Sequence, residues 1–280
     1  MEDPKRTEEK SSESAVNPPI HCAGTIGIVV SNFNDPFFGK VIQQIQTLAY
    51  EQEYALTLTG FLHSEPDDRD LQPLFDNPVD GLIVLGTDLI AKWLEKFQHL
   101  PVARIGHGSE HEKSVCITIN EDYAANLLVN HLVESGKKKL LFIATDTHVH
   151  QLRCDAFERV AFERGVELDI RQSPEGDPYD IGVKMAAAVD ISEIDALLCT
   201  NDKMAMGALH TLNERGIHVP KDLVVTGFDD IYGASRFIPS ITTIQQPIAE
   251  MVATAVDVTI EKLSPAHINL PSRLVIRRSA

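Results

Sequence analysis

Residues 25–38 read TIGIVVSNFNDPFF, and this stretch decides the fold class. Its first half, Thr25–Ser31, is a continuous apolar run rich in β-branched residues, which is typical of a strand buried in a parallel sheet. In the second half Pro36 suits a first helical turn, and Asn34 or Asp35 is placed to cap that turn. Apolar residues then recur at helical spacing as far as Ala49, so a helix follows the strand directly.

The alternation of strand-like and helix-like segments continues to the end of the chain and begins a second round after residue 119. The predicted strands are Thr25–Ser31, Tyr54–Gly60, Val79–Gly86, Pro101–Gly106, Val115–Ile119, Lys139–Thr145, Val166–Gln172, Asp195–Thr200, Leu223–Phe228, Ile241–Ile244 and Ser272–Arg278. Such alternation indicates a parallel sheet flanked by helices. We therefore expect an α/β protein with two doubly wound parallel-sheet lobes.

The charge balance argues against one class of function. The 280 residues include 25 Lys and Arg but 41 Asp and Glu, a formal charge of −16. A protein that binds nucleic acid through its own surface usually carries a basic face, and no dense basic block is present here. No apolar run approaches the roughly 18 residues of a membrane span, so no membrane partner is expected either.

The first 24 residues differ in composition from the rest. They are rich in Glu, Ser, Lys and Pro, which predicts a disordered tail or the remnant of a longer chain. They lack the apolar segment of a secretory signal. The four cysteines form no C-x-x-C pair, which favours a reducing compartment, and we expect a cytoplasmic location.

Motifs for catalysis and cofactor binding are absent from the sequence. It contains no G-x-S-x-G elbow, no phosphate-binding P-loop and no G-x-G-x-x-G fingerprint. No residue pattern pairs a nucleophile with a base, and none has convincing metal-ligand spacing. We therefore expect neither an enzyme nor a cofactor or metal site.

Polar residues cluster at the carboxyl ends of predicted strands, where open parallel sheets bind ligands. The clusters are Ser31–Phe38, Asp146–Arg153, Asn201–Asp202 and Asp229–Asp230. Together they bring aromatic, amide, carboxylate and guanidinium groups to one edge, a composition that suits a polyhydroxylated ligand. The last pair also suits a turn.

Several of these side chains have a purely structural interpretation. Asn201 or Asp202 could cap the following helix, and capping and ligand contact are evenly balanced. Phe37 and Phe38 are consecutive, so we expect one to pack in the core and the other to reach the cleft. Arg153 is harder to explain structurally, because a lone Arg at a helix start is unfavourable to the helix dipole.

These motifs resemble the regulatory core of the LacI/GalR family of transcription factors. The resemblance runs from about Thr25 to Ala280 through motifs in the family's order. They are IGIVVSNFNDPFF (Ile26–Phe38), VDGLIVLG (Val79–Gly86), NHLVESGKKKLLFI (Asn130–Ile143), CTNDKMAMGAL (Cys199–Leu209), GIHVPKDLVVTGFDD (Gly216–Asp230), ITTIQQP (Ile241–Pro247) and PSRLVIRRS (Pro271–Ser279).

The resemblance implies two lobes like those of periplasmic binding proteins of type I, joined by three crossovers. We expect the crossovers near residues 119–120, 245–247 and 266–270. The first lobe then comprises residues 25–119 plus 247–267, and the second residues 120–246 plus 268–280, after a tail of residues 1–24. Between the lobes such proteins hold a small effector, commonly a sugar, a sugar phosphate or a nucleobase.

The resemblance also implies which residues bind the effector. The expected ligand-binding residues are Asp35, Phe37, Phe38, Arg153, Asn201, Asp229 and Gln246. Two segments depart from the family pattern: Ile105-Gly106-His107 replaces Ile-Asp-Arg, and Asn120-Glu121 replaces Asp-Asn. These departures bear on the identity of the effector and not on the fold.

The function implied is that of an effector-binding and dimerisation core. Family members carry an N-terminal helix-turn-helix that contacts operator DNA, and residues 1–24 show no such pattern. We therefore expect a homodimer that binds a small carbohydrate effector and reaches DNA only through the missing headpiece. The alternatives are a free-standing solute-binding protein for sugar uptake and, ranked lower, a sugar-processing enzyme.

Overall fold

Two six-stranded sheets organise the chain in a computed structural model that describes residues 22–61, 67–86, 95–107, 114–174, 176–261 and 263–280. The strands are β1 Gly24–Val30, β2 Tyr54–Gly60, β3 Gly81–Leu85, β4 Val102–Ile105, β5 Ser114–Ile119, β6 Lys139–Thr145, β7 Glu167–Ser173, β8 Ala196–Cys199, β9 Val224–Asp229, β10 Thr242–Gln245, β11 His267–Leu270 and β12 Arg273–Val275. Residues 1–21 of the expected tail lie outside the described residues.

The α-helices of the described residues alternate with these strands. They are α1 Pro36–Glu51, α2 Asp68–Asp76, α3 Glu121–Glu134, α4 His148–Arg164, α5 Pro178–Ala187, α6 Asp202–Glu214 and α7 Ile248–Glu261. A 3-10 turn lies at Glu95–Phe97. The predicted α/β class with two largely parallel sheets is confirmed.

The parallel strands of each sheet run in one direction, so their carboxyl ends all lie at the same end of that sheet, which we call its carboxyl edge. The first sheet has the order β11-β5-β4-β3-β1-β2, and every pair in it is parallel. The second has the order β12-β10-β9-β8-β6-β7, in which only β12 runs antiparallel to its neighbour. Strands β1 and β6 occupy equivalent positions, each next to the edge strand that follows it in sequence, and the loops after them lie at the carboxyl ends where such sheets bind ligands.

The chain passes between the sheets three times, after β5, after β10 and after β11. Strand β11 was not predicted as a strand. It pairs in parallel with β5, from His267↔Cys116 to Leu270↔Ile119. Residues 268–270, which the sequence prediction places in the second lobe, therefore belong to the first sheet. The segment has only two apolar residues and lies half-exposed at the sheet edge, which is why its pattern is weak.

Buried aliphatic strands supply most of the core. In β3 and β8 every residue is buried, as parallel strands covered on both faces require. Helices α5 and α6 pack so closely that their backbones touch at glycines. A Cβ on Gly207 would overlap the carbonyl group of Tyr179, and a Cβ on Gly182 would overlap that of Met204. This contact holds the first turns of both helices beside the carboxyl edge of the second sheet.

The close contact of α5 and α6 predicts how adding a methyl group at Gly207 changes the stability of the protein. Gly207→Ala should lower the free energy of unfolding by about 1–3 kcal/mol, because the helices must separate to admit the Cβ. The matched control is Gly39→Ala in α1, where a Cβ meets nothing within 4 Å. That variant should gain about 0.5–1 kcal/mol from helix propensity. Urea unfolding measures both, and equal stability of the two variants would contradict this packing.

Candidate functional site

A cavity of about 290 Å³ lies between the carboxyl edges of the two sheets. The loop between β1 and α1 forms one wall, and three loops of the second sheet form the other. The lining residues are Asn32, Asn34, Asp35, Pro36, Gly176, Asp177, Pro178, Asn201, Lys203, Asp229 and Ile231. Both sheets therefore contribute polar groups to one small space, as expected from the ligand edge of parallel sheets. We call this space the cleft.

Asp35 connects the first sheet to the cleft. It is the N-cap of α1, and its carboxylate accepts the Phe37 N–H at 2.9 Å. Burial raises the pKa of this carboxyl, although the Phe37 bond and the charge of Lys203 oppose the rise. Asp35 thus serves both roles considered from the sequence, a helix cap and a cleft-lining group.

Asn201 shows the same double use on the other wall. Its side-chain oxygen accepts the Met204 N–H at 2.8 Å and caps α6. The cap uses only the oxygen, and within the described residues the amide nitrogen has no protein acceptor. That nitrogen therefore has hydrogen-bond donors to offer a ligand.

Lys203 is the cation of the cleft, and it is paired. Its ammonium group lies 2.5 Å from the carboxylate of Asp177, which caps α5 through the Tyr179 N–H. Burial tends to raise the pKa of Asp177, but these two bonds outweigh it and lower the pKa. Lys203 and Asp177 thus form a charge-compensated pair across the starts of α5 and α6.

Asp229 lies at the end of β9 with 8% of its surface exposed. Gln246 donates to its carboxylate at 2.6 Å. Burial raises the pKa of Asp229 to about 6, and the nearby negative charges of Asp35 and Glu121 add to the rise while Arg153 opposes it. Its backbone φ of 101° falls in the region that favours glycine. A carboxylate kept in so unfavourable a setting is a candidate functional group.

Asp202 supports the cleft from behind. It is completely buried and accepts the Thr243 hydroxyl at 2.6 Å and the Ile231 N–H at 2.8 Å. Burial raises its pKa well above the ordinary value. The sequence offered Asn201 and Asp202 as candidates to cap α6. The structure assigns the cap to Asn201.

Arg153 lies one layer behind the cleft and is 4% exposed. Its guanidinium forms two hydrogen bonds with the Glu121 carboxylate, each 3.0 Å long, and donates to the Thr200 carbonyl at 2.6 Å. It also stacks 3.5 Å above the ring centroid of Phe228. Burial disfavours the charge of Arg153, but Glu121 and Asp229 outweigh this and raise its pKa.

Glu121 is the partner that sequence reasoning missed. It is the first residue of α3 and buried. Burial tends to raise its pKa, but Arg153 and His107 outweigh that tendency and hold the pKa at about 2. The imidazole of His107, which follows β4 of the first sheet, lies 3.2 Å from the Glu121 carboxylate. The two segments that depart from the family pattern therefore meet at the Glu121 carboxylate, which also binds Arg153.

The structure thus brings some predicted residues together and separates others. Asp35, Asn201 and Asp229 line the cleft, and Gln246 contacts it through Asp229. Phe37 is 7% exposed and belongs to the core, while Phe38 is half-buried against it, with 5.6 Å between the ring centroids. Neither ring is among the residues that line the cleft.

Other cleft residues were not singled out from the sequence. Asp177 and Lys203 follow the ends of β7 and β8, so the strand-end rule applied to every strand would have found them. Within the described ranges no group of three His, Cys, Asp or Glu side chains is arranged to hold a metal ion. None of the described helices has the length and apolarity needed to cross a membrane.

Comparisons with known proteins agree with this architecture. Residues 129–280 match the model of the periplasmic binding protein-like domain family. The HTH-type transcriptional repressor PurR of Aliivibrio fischeri (strain MJ11) is 30% identical over 264 residues, which cover 89% of this chain and 78% of the repressor. That relative is a regulator of transcription and not an enzyme.

Solved structures show the same fold. A LacI-type transcription regulator from Bifidobacterium animalis subsp. lactis DSM 10140 superposes with a TM-score of 0.78 at 26% identity, covering 91% of this chain and 99% of that one. A LacI family transcriptional regulator from Enterococcus faecium with bound ribose superposes with a TM-score of 0.78 at 23% identity, covering 91% and 98%.

The family model spans more than half of the chain, and a repressor at 30% identity aligns with most of it. The chain therefore belongs to the LacI/GalR family of transcriptional regulators, and its two sheets form the periplasmic-binding-protein-like core of that family.

Proposed function

We propose that this core binds a small carbohydrate effector in the cleft and controls DNA binding through it. The observation that carries the proposal is the cleft itself, a space of about 290 Å³ to which both sheets present carboxylate and amide groups. The volume is at the low end of the roughly 300–1,000 Å³ usual for ligand pockets, which suits a monosaccharide-sized molecule. A regulator of the same fold holds ribose, which supports a sugar as the class.

The control of DNA binding is a shift between two lobe arrangements. A ligand that contacts both walls favours the arrangement in which its contacts are made, and it shifts the equilibrium by its difference in affinity for the two states. Contacts among the described residues join the lobes at the cleft edge: Lys40 donates to the Asp230 carbonyl at 3.2 Å, and His107 lies 3.2 Å from Glu121. These are contacts that a change of lobe angle would remake.

The partners in the proposal are those of a regulator. The core is a cytoplasmic homodimer, and operator DNA is contacted by an N-terminal headpiece and not by the acidic core. Solute transport and sugar processing are the rival functions. The matched relatives favour the regulator, since they are transcriptional repressors and regulators.

A screen of thermal stability against sugars, sugar phosphates and purines tests the ligand class. A ligand that binds only the folded state raises the melting temperature, and the rise grows with the logarithm of the ligand concentration above its Kd. We expect a carbohydrate to give such a concentration-dependent rise. If only a nucleobase stabilises the protein, or if the carbohydrate is turned over, the proposal is wrong.

A substitution at Asp35 separates ligand binding from helix capping. Asp35→Asn keeps the cap, because Asn caps helices as well as Asp does, but removes the charge that faces the cleft. We expect the variant to bind the stabilising carbohydrate at least about tenfold more weakly, because one charged hydrogen bond is lost. At neutral pH it should be no less stable than the parent, because burial of the Asp35 carboxylate is unfavourable.

The matched control for Asp35→Asn is Asp67→Asn, which alters the N-cap of α2 away from the cleft. The affinity of the Asp67 variant for the same carbohydrate, measured by calorimetry, should equal that of the unaltered protein. Equal affinity in the Asp35 variant as well would remove Asp35 from the binding site.

The raised pKa of Asp229 predicts how the stability of the protein depends on pH. Its pKa is about 6 in the folded protein against about 3.9 in an unfolded chain, so unfolding releases a proton between these values. Stability attributable to Asp229 therefore falls as the pH rises from about 4 to about 6. Asp229→Asn removes this cost and should stabilise the protein at pH 7.5 by up to about 3 kcal/mol, while weakening ligand binding.

Urea unfolding at pH 7.5 and pH 4 checks whether Asp229→Asn stabilises the protein as predicted. The gain of the Asp229 variant should shrink toward zero at pH 4. Asp195→Asn is the opposite control, because backbone N–H groups of Lys138 and Lys139 lower the pKa of Asp195 and its loss should destabilise at pH 7.5. An Asp229 variant that is less stable than the parent at pH 7.5 would contradict the account.

A further inference from the structure

The walls of the cleft carry more negative than positive charge. Among the described lining residues Asp35, Asp177 and Asp229 are acidic, and Lys203 is the one base. Lys203 already pairs with Asp177 at 2.5 Å. Asp35 and Asp229 approach from opposite sheets closely enough for the charge of one to raise the pKa of the other. A ligand between them meets two carboxyl groups and no free ammonium.

Helix N-termini do not reverse this balance. The starts of α1, α5 and α6 all face the cleft, and each contributes about half a positive charge, which ordinarily favours anions. Asp35 and Asp177, however, already cap two of these starts with carboxylates, and Asn201 caps the third. The three half-charges fall short of the two carboxylate charges that Lys203 leaves uncompensated.

The arginines behind the walls, Arg277 and Arg153, are already bound to protein carboxylates and carbonyls. Arg277 lies 2.5 Å from the Asp230 carboxylate and donates to the Ile241 carbonyl at 2.8 Å. Arg153, the nearest strong cation to Asp229, uses Nε and Nη2 on Glu121 and Nη1 on the Thr200 carbonyl. Since the pKa of Glu121 is about 2, both members of that pair stay charged at physiological pH.

We propose that Glu121 determines the charge class of the ligand: by engaging Nε and Nη2 of the Arg153 guanidinium, whose Nη1 is held by the Thr200 carbonyl, it makes the cleft reject phosphate- and carboxylate-bearing molecules and accept uncharged or amine-bearing ones. The inference rests on the proposed function, because it concerns the same cleft. A planar guanidinium matches a carboxylate or a phosphate equally well, so Glu121 occupies the position that an anionic ligand group would take. Glu121 is a positioning residue, since it acts through Arg153.

Inorganic phosphate is the probe for this role, because it needs no knowledge of the natural ligand. Melting temperatures are measured over a phosphate series at constant ionic strength, balanced with chloride. The unaltered protein should show no rise in melting temperature across the phosphate series. Glu121→Gln, which keeps the side-chain size but removes the charge, should bind phosphate at least about tenfold more tightly than the parent.

Two variants control the experiment. Glu134→Gln removes an exposed charge from the same helix and should behave as the parent does. Glu121→Gln combined with Arg153→Gln should lose the phosphate affinity that Glu121→Gln gains. The double variant leaves neither member of the Glu121–Arg153 pair as an unpaired charge, so it controls for the loss of the pair itself. A folded Glu121 variant without phosphate binding would overturn the proposal.

A second measurement uses the unaltered protein alone. Glucose, glucosamine and glucose 6-phosphate are titrated as a matched series, and the phosphate ester should be the weakest. Tighter binding of glucose 6-phosphate than of glucose would overturn the role of Glu121 while leaving a carbohydrate cleft in place. Absence of binding by every hexose would count against this carbohydrate series and so against the proposed function, and the phosphate series would still decide the role of Glu121.

Discussion

One buried guanidinium links the elements that surround the cleft. Arg153 of α4 binds Glu121, the first residue of α3. It also donates to the Thr200 carbonyl at the end of β8 and stacks on Phe228 near the end of β9. A buried cation that donates to a carboxylate is held firmly, because removing one partner of such a pair leaves an uncompensated charge in a medium of low dielectric. The ends of two central strands and the starts of two helices are thus tied to one side chain, and the groups that face the cleft are positioned by it.

The same arrangement explains the electrostatics of the cleft. Glu121 neutralises Arg153, so Arg153 lowers the pKa of Asp229 only partly, and burial keeps that pKa near 6. Asp35 adds a second carboxyl from the other sheet. The cleft is therefore acidic although an arginine lies directly behind it. Carboxylates that are costly to the folded protein are retained at the place where a ligand would contact both lobes, as is common at binding sites.

Much of the fold and part of the site could be predicted from the sequence. Apolar β-branched runs between capped helices identified eleven of the twelve strands in the described part of the chain, and the strand-end rule led to Asp35, Asn201 and Asp229. Strand β11 was missed because a short edge strand with two apolar residues has almost no pattern. The positions of Phe37 and Phe38 depend on how α1 rotates against the core, which spacing alone does not determine. Arg153 was recognised from its unfavourable place at a helix start, but its partner Glu121 is 32 residues away and becomes adjacent only in three dimensions.

The crystal structure of the protein with its stabilising ligand tests the account most directly. The ligand is predicted to lie between Asp35 and Asp229, in contact with the amide of Asn201, while Arg153 remains bound to both oxygens of Glu121. A ligand located outside the cleft would contradict the assignment of the site. A ligand in the cleft whose anionic group displaces Glu121 from Arg153 would contradict the central claim, that this buried pair shapes the cleft and is not itself the ligand contact.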